Sequence, residues 1–166
     1  SVTVEEADGA YYTSLGGVLM TADMKEVVFC PMGYTGTFTV PETVTKIHDS
    51  AFLEVAGLTE LVFVGGTDNM YIGDSAFKKC TSLVNVVLSD NVVTLGAQAF
   101  YGCTSLESLT LSKSLTTFNS SVVYDCSKLA EINVSSDGQG TYYSSANGIL
   151  YNADKSALVV YPLAKT

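Results

Sequence analysis

The segment Ile72-Gly-Asp-Ser-Ala-Phe-Lys-Lys-Cys-Thr-Ser-Leu83 returns 23 residues later as Leu95-Gly-Ala-Gln-Ala-Phe-Tyr-Gly-Cys-Thr-Ser-Leu106. It returns again, weakened, after another 23 as Phe118-Asn-Ser-Ser-Val-Val-Tyr-Asp-Cys-Ser-Lys-Leu129. An earlier copy, Ile47-His-Asp-Ser-Ala-Phe-Leu-Glu-Val-Ala-Gly-Leu58, precedes the first by 25. A fixed period in the range of roughly 20 to 50 residues means stacked units, each of which buries its apolar face only against its neighbours. The chain is therefore expected to be a solenoid.

Each column of the alignment has a physical meaning. Leu58, Leu83, Leu106 and Leu129 open one arm, followed by Leu61, Val86, Leu109 and Ile132, then Phe63, Leu88, Leu111 and Val134. The last two columns are two residues apart, the period of a short strand with one buried face. The spacing predicts strands over Phe38–Val40, Leu61–Phe63, Val86–Leu88, Leu109–Leu111 and Ile132–Val134, paired into one parallel sheet with right-handed connections. The return arm sets small Ala51, Ala76, Ala99 and Val122 beside large Phe52, Phe77, Phe100 and Val123, which fills stacked layers without voids. Asp49-Ser50 and Asp74-Ser75, just before Ala-Phe, are suited to capping short helical turns. The column His48, Gly73, Gly96 and Asn119 holds residue types that tolerate positive φ, so a left-handed turn is expected there.

Cys80, Cys103 and Cys126 share one column, filled by Val55 in the earlier copy. Valine in that slot asks for a small apolar body, and free cysteine is one. Side chains of one column point in parallel, which is poor disulfide geometry, so a ladder of buried thiols is expected. Cys30 stands apart.

The two ends of the chain match each other at an offset of 131: Tyr12 to Asp23 aligns with Tyr143 to Asp154, and Val27 to Pro31 with Leu158 to Pro162. Apolar runs separated by Thr-Ala-Asp-Met-Lys and Asn-Ala-Asp-Lys-Ser read as hairpins with polar turns. The organisation expected is a single repeat domain over 1–166: a hairpin module over 11–34, coils over 35–141 and a second module over 142–166. Because Thr166 aligns with Thr35, where the first coil begins, the C-terminus reads as a cut inside a longer array.

The run Leu83-x-x-Val-x-Leu-x-x-Asn91 and the run Ile72-Gly-x-x-Ala-Phe-x-x-Cys-x-x-Leu83 resemble the BspA-like class of leucine-rich repeats. The hairpin stretch Gly148-Ile-Leu-Tyr-Asn-x-Asp154, ending in Tyr161-Pro162, is similar to elements within such arrays. The resemblance runs from Tyr11 to Pro162; Val55, Val123, Asn119 and the Gly65-Gly66 insertion depart from the pattern. It implies an α/β solenoid that is β-rich, with short helical turns. It also implies a bacterial-type surface or secreted protein, an adhesion or protein-recognition role, and no catalytic residues to carry over.

In each strand, the residues between the apolar columns face away from the core. They form the rows Glu60, Asn85, Ser108, Glu131, then Val62, Val87, Thr110, Asn133, then Val64, Ser89, Ser112, Ser135. Solenoid curvature makes such a face an extended platform, and the first two rows are the candidate binding residues. The competing reading is a solvated sheet whose β-branched residues only support their cross-strand neighbours. Tyr11, Tyr12, Tyr142, Tyr143 and Tyr151 gather in the hairpin modules, where packing is the expected role.

Other chemistries find little support. A single histidine, His48, leaves no acid–base relay and no zinc set, and no glycine-rich phosphate loop opens a helix. Glu5-Glu6-Ala7-Asp8 lacks the alternating oxygens of a calcium loop. Asn119-Ser-Ser121 and Asn133-Val-Ser135 are formal glycosylation acceptors. No metal or cofactor is expected, nor catalysis. The net charge of −9 disfavours nucleic acid and anionic membranes as partners. No apolar run reaches the ~18 residues of a membrane span, so no insertion by this segment is expected. The expectation is an extracellular or cell-surface segment, its export signal and anchor lying elsewhere, that binds a protein such as a host matrix component. The alternative is a spacer or accessory module with no ligand of its own.

Overall fold

The computed structural model describes residue 3 and residues 11–166. The acidic run at Glu5 to Asp8 therefore lies outside the described residues. Strands β1 (Tyr12–Leu15), β2 (Val18–Thr21) and β3 (Glu26–Phe29) make the first module. The coils contribute β4 (Thr35–Val40), β5 (Lys46–Ile47), β6 (Gly57–Phe63), β7 (Met70–Ile72), β8 (Asn85–Val87), β9 (Val92–Leu95), β10 (Ser108–Leu111) and β11 (Glu131–Val134). The second module holds β12 (Tyr143–Ala146), β13 (Ile149–Asn152) and β14 (Leu158–Val160).

All five expected strand segments fall in one parallel sheet of order β11-β10-β8-β6-β4, and the chain is a β-solenoid of about five turns. The structure adds a second sheet on the return arm, β1-β2-β3-β5-β7-β9, which is parallel from β3 onward. Among the described residues, helix is confined to a 3-10 turn over Ser120–Val123 and the four residues Ser135–Gly138.

Between the sheets runs the column of rings. Phe52 stacks on Phe77 at 5.0 Å and Phe77 on Phe100 at 5.2 Å, close to the spacing of adjacent strands. The cysteine column lies against it. The Cys80 thiol donates to Phe52 O at 3.2 Å, Cys103 to Phe77 O at 3.2 Å and Cys126 to Phe100 O at 3.1 Å. All four cysteines are free and buried. Burial pushes the Cys80 thiol up to about 12 and Cys126 to about 11, and raises Cys103 further.

Native thiol titration is accordingly expected to find few reactive groups, rising to four in denaturant; fewer than four there, without reductant, would reveal a disulfide. The folded thiols hold their protons above the ordinary value of 9.0, at which the unfolded chain loses them. Stability should therefore decline as pH rises past that value, and a flat profile would show that the thiols are solvated.

Two local expectations are corrected. Positive φ falls on Ser50, Ser75 and Gln98, and on Glu54, Lys79, Gly102 and Asp125, rather than on the column His48, Gly73, Gly96 and Asn119. Ser50, Glu54, Ser75, Lys79 and Gly102 lend their N–H groups to the next coil, as in Ser50 N–H to Asp74 O at 2.9 Å and Lys79 N–H to Tyr101 O at 2.7 Å. Such bonds offset the roughly 1 kcal/mol that the conformation costs a residue with a Cβ. The glycines serve close approach instead. A Cβ on Gly96 would lie 2.4 Å from Gly73 C and 2.5 Å from Asp74 N. Where the column carries Asn119, the return strand shrinks to a single bridge, Thr94 to Thr117, and a 3-10 turn follows, capped by the Asn119 side chain.

The second correction concerns the caps. The Asp49 carboxylate accepts from Asp74 N–H at 2.9 Å, and the Asp74 carboxylate from Ala97 N–H at 2.7 Å. These side chains tie one coil to the next; they do not cap their own turn.

Candidate binding face

The parallel register decides which side chains share the outer surface of the β4–β11 sheet. Thr39 pairs with Val62, Val62 with Val87, Val87 with Thr110 and Thr110 with Asn133. Alongside, Thr37 pairs with Glu60, Asn85 with Ser108 and Ser108 with Glu131. The eight candidate residues thus stand in two adjacent rows on one surface. A one-residue slip would have buried them, and the inward columns Leu61, Val86, Leu109 and Ile132 forbid it.

Polar side chains of the first row are already engaged. Thr37 Oγ1 donates to Glu60 Oε2 at 2.9 Å, Ser108 Oγ to Asn85 Oδ1 at 2.6 Å, and Asn133 Nδ2 to Glu131 Oε2 at 3.3 Å. The apolar part is small. Val87 is 59% exposed and Val62 38%, and together with Glu60, Phe63 and Asn85 they line a shallow open depression of about 480 Å³.

The third row behaves differently. Val64 is exposed, but Ser112 is buried, donating to Asp90 O at 3.1 Å and accepting from Ser114 N–H at 3.0 Å. Ser135 Oγ donates to Asp90 Oδ1 at 2.6 Å, and Lys113 Nζ sits 2.9 Å from Asp90 Oδ2. The Ser135 hydroxyl and the Lys113 ammonium hold the Asp90 carboxyl below the usual carboxylate range. Ser112 and Ser135 of this row thus secure the strand ends, while Val64 stays on the open surface.

Tyrosine packing is only partly as expected. Tyr143 is half-buried against Phe118, and its hydroxyl accepts from Phe118 N–H at 2.7 Å. Tyr11, Tyr12 and Tyr142 stand exposed, since their modules present those positions to solvent. His48 lies beside Glu26, Nε2 to Oε2 at 2.5 Å, and joins β5 to β3. Among the described residues no three His, Cys, Asp or Glu side chains gather as a metal site. No helix among them is long and apolar enough to cross a membrane.

On the return-arm turns lies a further surface, outside the expected rows. Tyr101 stacks on Tyr124 at 5.7 Å, and Lys78 Nζ sits 4.8 Å from the Tyr101 ring. The signal was available, since Lys78, Tyr101 and Tyr124 each follow the small–large pair and so share one column at the 23-residue spacing.

No curated protein gives a significant match. A leucine-rich repeat protein of Eubacterium ventriosum is 29% identical, with a TM-score of 0.64 over 86% of this chain and 40% of that one. The leucine-rich repeat protein of T. pallidum is 26% identical, with a TM-score of 0.58 over 66% of this chain and 51% of that one. The pneumococcal vaccine antigen PcpA, at 21% identity and a TM-score of 0.61, shares the fold over 95% of this chain and 46% of its own. This chain spans about half or less of the length of these structures. The model of the BspA type leucine-rich repeat region matches residues 23–146 in six copies, and the chain belongs to that family.

Proposed function

We propose that this segment is a non-catalytic, surface-exposed or secreted protein-binding domain. Its role is adhesion or host-protein recognition, centred on Glu60, Val62, Asn85, Val87, Ser108, Thr110, Glu131 and Asn133. Leucine-rich repeats of this type generally serve protein interactions, and the family is generally non-catalytic. The observation that carries the reading is the exposure of Val87 beside Val62, at the middle of a continuous sheet face with a polar surround. An apolar centre with a polar rim is how protein interfaces are built. The partner best suited is an extracellular matrix or cell-surface protein with a basic patch. The net charge of −9 would speed association with it, and the gain would fade as salt rises.

The test uses Val87→Lys. The side chain already projects to solvent, so circular dichroism and the unfolding midpoint should match the wild type. A charge at the desolvated centre of a contact is costly, and binding to a panel of host matrix proteins should be lost. If the variant binds as well as the wild type, the sheet face is not the site, and the Tyr101–Tyr124 turn surface becomes the next candidate. A wild type that binds nothing on a broad panel favours the spacer reading, which the absence of an aromatic anchor on this face supports.

A further inference from the structure

The two hairpin modules are the same structure. Tyr12 pairs with Thr21 as Tyr143 does with Asn152, and Leu19 with Phe29 as Leu150 does with Val160. The register shift of the second ladder falls at equivalent residues, Leu19/Met20 and Leu150/Tyr151. Positive φ recurs at Gly16 and Asn147, at Gly17 and Gly148, and at Met24 and Lys155. After the proline, Tyr34 N–H donates to Pro31 O at 2.9 Å and Lys165 N–H to Pro162 O at 3.2 Å, so the same turn leads into Thr35 and into Thr166.

Their surroundings are opposite. In the first module Val18, Met20, Val27 and Cys30 are buried against the coil that follows, and β3 pairs with β5 of that coil. The equivalents of Val27 and Cys30 in the second module are Leu158 and Tyr161, which are 58% and 54% exposed, and β14 is the edge of its sheet. Ile149 and Tyr151 are only half-buried. Ser144, on the same face, is buried, its hydroxyl donating to Asn152 O. The second module instead buries its other face on the coil that precedes it. Leu150 is fully buried, Ser145 Oγ accepts from Val134 N–H at 2.9 Å, and Gly148 O accepts from Ile132 N–H at 2.9 Å. Successive residues of a strand point to opposite faces, so one hairpin can hold a coil on each side.

We propose that the hairpin module is a two-sided connector. The open face of the second module, centred on Leu158 and Tyr161 beside the β14 edge, is then a docking site for a further leucine-rich repeat coil of the kind formed by Thr35–Leu58. The first module shows that occupant in place: a return strand pairs along the edge, and an Ala-Phe turn accepts from the strand end, as Ala51 O does from Cys30 N–H at 2.7 Å. The shallow groove bounded by Val123, Tyr124, Leu129, Val160, Tyr161 and Leu163 adjoins this face. The inference does not depend on what the β4–β11 face binds.

The test extends the chain at Thr166 with residues 36–166, which reproduces the Thr35-Gly36 junction. A Leu158→Cys variant is made in the original and the extended chain, and labelling by a thiol reagent is timed under native conditions against the wild type of each. The engineered thiol should react quickly in the original chain and at least tenfold more slowly in the extended one. The extended chain should also unfold in one transition. Tyr161→Lys should leave the original chain's midpoint unchanged and split or lower the transition of the extended chain. Equal labelling rates in the two chains, whether the added coils fold apart or not at all, would overturn the proposal.

Discussion

Truncating Phe100 to alanine is expected to destabilise the chain by about 3–5 kcal/mol, the cost of emptying a ring-sized space in a packed interior. Phe100 is fully buried, lies 5.2 Å from the Phe77 ring, and its carbonyl oxygen accepts the Cys126 thiol. Phe77 should cost as much, since it stacks on rings above and below. Each coil touches only its neighbours, so a cavity in a middle coil weakens two interfaces at once. The denaturant transition should move to lower concentration and can separate into two steps. Urea unfolding followed by circular dichroism measures this. A loss below about 1 kcal/mol at both positions would show that the rings do not form the core column.

Gly96→Ala should rank next, near the upper end of the ~1–3 kcal/mol typical of overpacking. The added Cβ meets backbone atoms of the coil beneath, Gly73 C at 2.4 Å and Asp74 N at 2.5 Å, and that backbone is held by the Gly73 N–H to Ile47 O and Gly96 N–H to Ile72 O bonds between coils, so it cannot easily turn aside. Gly96→Asn separates the two explanations for the glycine. Asparagine tolerates positive φ well, so it would be mild if the glycine served a left-handed turn. The contact predicts instead that asparagine is at least as harmful as alanine. A stable asparagine variant alongside an unstable alanine variant would restore the conformational explanation.

The stacking of this chain was legible because its signals are periodic and local. Apolar columns two apart on one arm, with the next copy 23 residues on, leave only one way to bury every column, and the five strands lie where those columns stand. The candidate rows followed from the same parity, since whatever alternates with Leu61, Val86, Leu109 and Ile132 must face outward. The cysteine ladder was readable because Val55 stood in one rung.

What the columns could not show is what a residue meets across the gap between coils. Gly73 and Gly96 looked conformational because glycine answers to two demands, and only the 2.4–2.6 Å approach of the neighbouring backbone tells which one operates. Asp49 and Asp74 looked like caps because a carboxylate bonds any nearby N–H, and the stacked geometry offers the next coil's first. Ser112 looked outward by parity but turns in to serve Asp90 where the strand ends. The sequence by itself determined the repeat, the inward columns and the twin modules, because these are properties of spacing along one chain. The tertiary structure decided which face each module buries, since two hairpins of the same register meet their coils on opposite sides.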